Sequence, residues 1–239
     1  MSSSLRLDVF ENRPGCARRT SRNSCDTDEA TLCELCRNRF ATLYPKGALV
    51  FLEGQESRGV YLLCAGRVKL STSSGDARVL ITQIAERGEI LGLDAALSGD
   101  AYEVTAEALE PCRLTYIGRE QFLRFLDEQS GAALRAARQM SVNYRAAFEQ
   151  ARLLGLSQSA AGKLARFLLE SCSRDAHVTG TSARLVLTLT HEEIGQRIGA
   201  SRETVTRLFS EFKHERIIEI TGATLLVHDR PALEVLANY

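Results

Sequence analysis

The chain has no net charge: 30 Lys and Arg balance 30 Asp and Glu over 239 residues. A broadly basic coat for non-specific nucleic-acid binding is thereby excluded, although a small local basic patch is not. Long apolar runs are missing too. The longest, residues 60–65, is strand-sized, whereas a membrane span needs roughly 18 residues. The opening Met1-Ser-Ser-Ser-Leu-Arg lacks the apolar stretch of a signal peptide, so a cytoplasmic address with no membrane partner is expected. Histidine is scarce: His177, His191, His214 and His228 are the four in the chain. None falls in the glycine-punctuated strand region described below. A cupin-like metal enzyme, which needs histidines pointing into its barrel, therefore lacks its ligands, and no other catalytic equipment is visible.

Cysteine is present in an odd number, seven, where a secreted disulfide framework would prefer an even one. Reduced thiols are the expectation. Cys16, Cys25, Cys33 and Cys36 crowd the N-terminal end, while Cys64, Cys112 and Cys172 sit in apolar stretches and read as small buried hydrophobes.

Hydrophobic residues at 44% and charged residues at 25% are an ordinary globular balance. The pattern along the chain predicts an α+β protein in four parts. Residues 1–28 read as a flexible cysteine-containing arm, being polar with Pro14 and Gly15 and without an apolar period. Residues 29–129 begin with a short helix at 29–40. Strands follow at 48–53, 60–64, 67–72, 79–84, 102–109 and 113–117, with glycines between them, an antiparallel β-roll or barrel. A long helix dominates 130–156, and 157–239 form the C-terminal module.

In the long helix Ala133, Ala137, Met140, Tyr144, Ala147, Ala151 and Leu154 recur at alternating steps of four and three. That is a heptad seam of mostly small residues, suited to a parallel dimer. Leu134 and Phe148 supply a second apolar row, expected to face the roll. The alternative is a lone amphipathic helix packed on its own roll.

The most informative stretch runs from Thr190 to Lys213. Thr190 and Glu193 form a capping-box pair that starts one helix, Gly199 supplies a turn, and Ser201 can cap a second helix. In the second helix Val205, Leu208, Phe209 and Phe212 occupy i, i+3, i+4 and i+7, which leaves Arg202, Glu203, Thr206 and Arg207 on the opposite face. Two short helices joined by a tight turn make a helix-turn-helix. A guanidinium can donate twice to guanine O6 and N7, and a carboxylate can accept from cytosine N4. Thr190 and Ser201, at the two helix starts, complete the candidate DNA-binding set. Residues 217–220 and 224–228 read as a β-hairpin around Thr221-Gly222-Ala223, the wing of a winged helix. Local charge is modest, five Arg/Lys against three Glu over residues 197–216. Affinity must then come from dimerisation and a few placed phosphate contacts. A pure protein-interaction module would not need this trio of charges on one helical face.

Over roughly residues 40–239 the chain resembles the cyclic-AMP receptor protein / fumarate–nitrate reduction regulator family of bacterial transcription factors. Ser201-Arg-Glu-Thr-Val-Thr-Arg207 is the most specific part, preceded by Leu189-Thr-His-Glu-Glu-Ile-Gly. The resemblance implies a cyclic-nucleotide-binding-like roll as sensor, a dimerisation helix, a winged helix-turn-helix and contact with RNA polymerase. It also implies palindromic double-stranded DNA with half-sites tilted by Arg202 toward the TGTGA type.

Nucleotide-binding members hold the phosphate with a short helix N-terminus and an Arg-Ser or Arg-Thr pair. Gly88-Glu-Ile-Leu-Gly-Leu-Asp94 fills the first part, but Tyr102 and Glu103 stand where the pair should be, and a carboxylate there would repel a cyclic phosphate. The fumarate–nitrate branch carries an oxygen-labile [4Fe–4S] cluster, and Gly92-Leu-Asp-Ala and Ala108-Leu-Glu110 resemble that branch. Cys33-x-x-Cys36 with Cys25 and Cys16 offers four thiolates, sufficient in number for such a cluster. That branch's third N-terminal ligand follows its CxxC, whereas here Cys25 and Cys16 precede it. Its roll cysteine should fall at Thr115, and Cys112 lies three residues earlier, so Cys112 reads as core. A zinc site on the same four thiolates, or no cofactor, are the alternatives.

Overall fold

A computed structural model describes residues 41–75, 78–156, 159–175, 177–179 and 182–238. The arm, the expected helix at 29–40 and all four N-terminal cysteines lie outside the described residues. Alternating strands and glycine turns close into two facing antiparallel sheets. One has the order β1 (Ala41–Tyr44), β8 (Cys112–Gly118), β3 (Gly59–Ala65), β6 (Ile90–Leu91). The other runs β2 (Leu49–Phe51), β7 (Thr105–Ala108), β4 (Val68–Ser73), β5 (Val79–Ala85). The register of β3 on β8 runs from Gly59 opposite Gly118 to Ala65 opposite Arg113. Between the sheets lie Phe51, Leu63, Val68, Leu91, Tyr102 and Leu114, so one face of each strand makes the roll's core. A six-residue helix α1 (Leu93–Ser98) follows β6, starting inside the Gly88–Asp94 stretch that the resemblance assigned to a short helix N-terminus. The strand expected at 102–109 is shorter, Thr105–Ala108; the main chain of Tyr102 pairs instead with Gly54 and Gln55, and its side-chain hydroxyl turns inward to donate to the Gly59 carbonyl.

Helix α2 (Arg119–Glu128) leads into the long α3 (Ser130–Leu156), which continues through Gly155. The row of α3 that meets the roll includes Ala132 and Ala136, Arg135, which donates to the Gly88 carbonyl at 3.1 Å, and Gln139, whose side chain pairs with both the N–H and the C=O of Ile90 at 3.0 and 2.9 Å. Small side chains let the helix lie close, and the amide completes the short β6 edge. Leu134 and Phe148 do not face the roll as expected: they are 52% and 53% exposed. Leu134 stands two residues beyond Ala132, about 200° around the helix, and so lies on the other side.

The C-terminal module begins with α4 (Ala160–Asp175) and carries a third antiparallel sheet. Its order is β11 (Ile218–Thr221), β12 (Thr224–Val227), β10 (Ser182–Val186), β9 (His177–Thr179). Helices α5 (His191–Ile198), α6 (Arg202–His214) and α7 (Arg230–Asn238) complete it. Leu164, Leu168 and Cys172 of α4 form one core with Ile194, Ile198 and the buried face of α6. Leu109 belongs to this core although it follows β7, and Ile84 of β5 packs against it.

Two glycines set the α5–α6 angle. Gly199 caps α5 at φ +68°, a left-handed conformation that favours glycine. Gly195 faces the turn so closely that a Cβ there would lie 2.6 Å from the Ala200 carbonyl oxygen. Because that obstacle is backbone, Gly195→Ala is expected to lower stability by about 1–3 kcal/mol. The measurement is thermal unfolding, and an unchanged midpoint would show that the turn yields.

Candidate nucleic-acid interface

The helix-turn-helix is built by caps at both helix starts. Thr190 accepts from the Glu193 N–H at 3.2 Å while Glu193 accepts from the Thr190 N–H at 2.8 Å, a reciprocal pair that satisfies two otherwise orphaned donors. Ser201 caps α6 by accepting from the Thr204 N–H at 3.2 Å. Burial of Val205, Leu208, Phe209 and Phe212, each 3% exposed or less, anchors α6 on one side. Arg202, Glu203, Thr206 and Arg207 are all exposed on the other. The structure therefore gathers the trio and Thr206 on one accessible surface at the N-terminal half of α6, with Thr190 and Ser201 exposed beside it.

Each member of the surface has a definite state. Hydrogen bonds from its own backbone N–H and from the Ser201 hydroxyl, followed by the charge of Arg202, hold the Glu203 carboxyl below the usual carboxylate range. It is an ionised acceptor at neutral pH. Arg207 donates to Glu211 one turn on at 2.6 Å. The pair is well exposed, so its net worth is small and it leaves the guanidinium available to exchange partners. His191, which the sequence reading passed over, joins the same surface: Nδ1 is 2.9 Å from the Thr206 hydroxyl and the ring stacks on Phe209. Burial, then the charges of Arg202 and Lys213, push its pKa below 6.5, so the imidazole is neutral at pH 7. No local sequence signal marks it, since its partners come from the next helix.

This surface is tied to the roll. Arg197 of α5 donates to the carbonyl oxygens of Ile81 (3.1 Å) and Thr82 on β5, while its own carbonyl accepts from Gln150 of α3 at 2.7 Å. Arg67 of the roll forks onto Glu110 and reaches the Thr188 hydroxyl at 2.7 Å, two residues before the Thr190 cap.

In the roll, Tyr102 covers the turn at Gly92. It is 4% exposed, stacks on Phe51 with centroids 4.0 Å apart, and donates to the Gly59 carbonyl at 2.7 Å. Its ring lies so close over Gly92, the cap of α1, that a Cβ there would be 2.5 Å from it. Glu103, the next residue, is exposed. Thr115 is buried, and its hydroxyl lies 3.4 Å from the sulfur of Cys64 on the neighbouring strand. Cys112 is buried and donates its thiol to the carbonyls of Arg67 and Glu110, and burial raises its pKa. Cys172 is buried as well, whereas Cys64 is half-buried. Among the described residues no three His, Cys, Asp or Glu side chains gather as a metal site. None of the described helices is long and apolar enough to cross a membrane.

Sequence comparison matches residues 162–236 to the Crp-like helix-turn-helix domain and residues 41–129 to the cyclic nucleotide-binding domain. The transcriptional activatory protein AadR of Rhodopseudomonas palustris is 30% identical over 197 residues, 81% of this chain and 79% of that protein. The CRP-like cAMP-activated global transcriptional regulator of Mycobacterium tuberculosis is 25% identical over 190 residues, 80% of this chain and 84% of that one. Among solved structures, a mutant of CooA from Carboxydothermus hydrogenoformans superposes with a TM-score of 0.75 at 22% identity, covering 89% of this chain and 97% of its own. That likeness concerns the fold.

Proposed function

The chain belongs to the Crp/Fnr family of transcriptional regulators, a family of DNA-binding proteins and not of enzymes, and from that premise we propose that it is a homodimeric, sequence-specific reader of palindromic DNA. The observation that carries the proposal is the exposed face of α6. Arg202, Glu203, Thr206 and Arg207 stand together on it above a fully buried apolar face. Arg202 and Arg207 are assigned to guanine edges and Glu203 to a cytosine amino group in a TGTGA-like half-site. The exposed starts of α5 and α6, at Thr190 and Ser201, are assigned to the phosphates.

The dimer reading rests on α3. Ala133, Ala137, Tyr144, Ala147 and Ala151 of the seam are exposed, and Met140 and Leu154 are half-covered. Beside them Leu134 and Phe148 widen the uncovered apolar face, and Tyr144, 73% exposed, stacks on Phe148. A second copy would cover this surface, with Leu134 and Phe148 now added to the seam. Pairing along α3 would place two recognition helices about 34 Å apart, as successive major grooves require. A signal that shifts packing along the seam would be relayed to α5 through Gln150 and Arg197, re-aiming α6. Contact with RNA polymerase and a cytoplasmic location belong to the same reading.

For the signal, the roll supports a cyclic nucleotide poorly, since Tyr102 occupies the cradle at Gly92. An iron–sulfur cluster is the better fit to the donor set. The roll supplies Thr115 where a ligand would be expected and turns Cys112 inward, so the cluster would be held by Cys16, Cys25, Cys33 and Cys36 alone, four thiolates for four sites. Bound there, it would make the protein sensitive to oxygen.

Arg207→Ala, tested against a palindromic site and its single-base variants, is expected to lose discrimination at one base pair per half-site by about 1–3 kcal/mol. Uniform weakening on all sequences would instead indicate phosphate contact. Ala147→Glu, which places two like charges across the seam, is expected to yield monomers in sedimentation with a marked loss of DNA affinity. A variant that stays dimeric would move the interface elsewhere. Protein purified without oxygen is expected to contain about four iron and four sulfide per chain. Cys33→Ser with Cys36→Ser should abolish both the iron and any air sensitivity of DNA binding. Zinc without iron would establish the zinc site instead, and a colourless, metal-free, DNA-competent dimer would remove the cluster.

A further inference from the structure

His191 is held from three sides. The Thr190–Glu193 capping box fixes its backbone at the first residue of α5. Its ring lies over Phe209 with centroids 4.9 Å apart and planes 20° from parallel. Its Nδ1 is 2.9 Å from the Thr206 hydroxyl, and that hydroxyl donates to the Arg202 carbonyl, also at 2.9 Å. A hydroxyl has one proton to give. With the proton directed to Arg202, the oxygen accepts from His191, which therefore carries its own proton on Nδ1. The Thr206 hydroxyl is thus engaged on both sides within the protein. The oxygen keeps one free lone pair but has no proton left to give, which leaves the γ-methyl as the apolar contact of this exposed side chain.

We propose that His191 is a positioning residue for base reading, which occupies the Thr206 hydroxyl so that the γ-methyl meets the C5-methyl of a thymine in the major groove. The inference rests on the reading that this face of α6 enters that groove. Thymine alone among the four bases presents a methyl group there, and a threonine methyl is among the apolar groups that pack against it. A free threonine hydroxyl would behave differently. It both donates and accepts, and so pairs with several base edges without choosing among them. Committing the proton and one lone pair narrows that polar contact and leaves the methyl to select.

The test uses the full-length protein and a palindromic duplex that it selects from a randomised pool, resynthesised with deoxyuridine for each thymine in turn. That exchange removes one methyl group and changes nothing else. One position per half-site is expected at which uracil weakens binding about fourfold, the value of one buried methyl group. Thr206→Ser keeps the hydroxyl and lacks the methyl, so it should bind the thymine and uracil duplexes equally. His191→Ala should bring the thymine-to-uracil ratio toward one. His191→Asn should restore it, because the asparagine amide nitrogen is as many bonds from Cα as Nδ1 is. Wild-type protein indifferent to uracil at every position, while Arg207→Ala still loses discrimination at one base pair, would overturn this inference and leave the base-reading helix standing. His191→Ala weakening both duplexes equally would also overturn it, marking a structural or phosphate-contacting role. If Arg207→Ala showed no position-specific effect either, the inference would fall together with the reading beneath it. Should His191→Ala fail to fold, the uracil series and Thr206→Ser still decide.

Discussion

Four apolar side chains on one face of α6 constrain everything this surface can do. Val205, Leu208, Phe209 and Phe212 are buried against α4, α5 and the C-terminal sheet. Rotating the helix to hide its charged face would expose them, at roughly 1.5–3 kcal/mol for each large side chain. The polar face is therefore presented outward as a consequence of the core, and no interaction of its own is needed to hold it there. Phe209 serves both sides, because its ring also supports His191 and through it Thr206. A residue that looks purely structural thus sets the attitude of a group on the reading surface.

The same economy links the module to the roll. Arg197 satisfies carbonyls of β5 and has its own carbonyl satisfied by Gln150 of α3. Leu109 and Ile84 carry roll side chains into the C-terminal core. An interface mixing a few apolar contacts with hydrogen bonds to main-chain carbonyls is one that can be exchanged for another arrangement at modest cost, since the freed groups can be taken up by water.

Inside the roll a tyrosine side chain closes over a tight turn. The tight turn at Gly92 and the short helix α1 remain, as in a phosphate cradle, but Tyr102 covers the cap and is pinned by a buried hydrogen bond to Gly59. Burial pushes the Tyr102 phenol upward in pKa, so it stays a neutral donor.

The sequence by itself determined the helix-turn-helix, its caps and its outward charges. All of these depend on residues within a turn or two of one another, where spacing translates directly into position. It also determined the long helix and, through apolar period and glycine punctuation, six of the roll's eight described strands, all but the short β1 and β6. Tertiary structure decided which side of α3 meets the roll, leaving Leu134 and Phe148 outside, because helical periodicity reveals an apolar face without naming its partner. It likewise decided the inward turn of Tyr102, the bond between His191 and Thr206 across two helices, and the reach of Arg197 to carbonyls 115 residues away. Those contacts join segments distant along the chain, and no local pattern encodes where such segments come to rest.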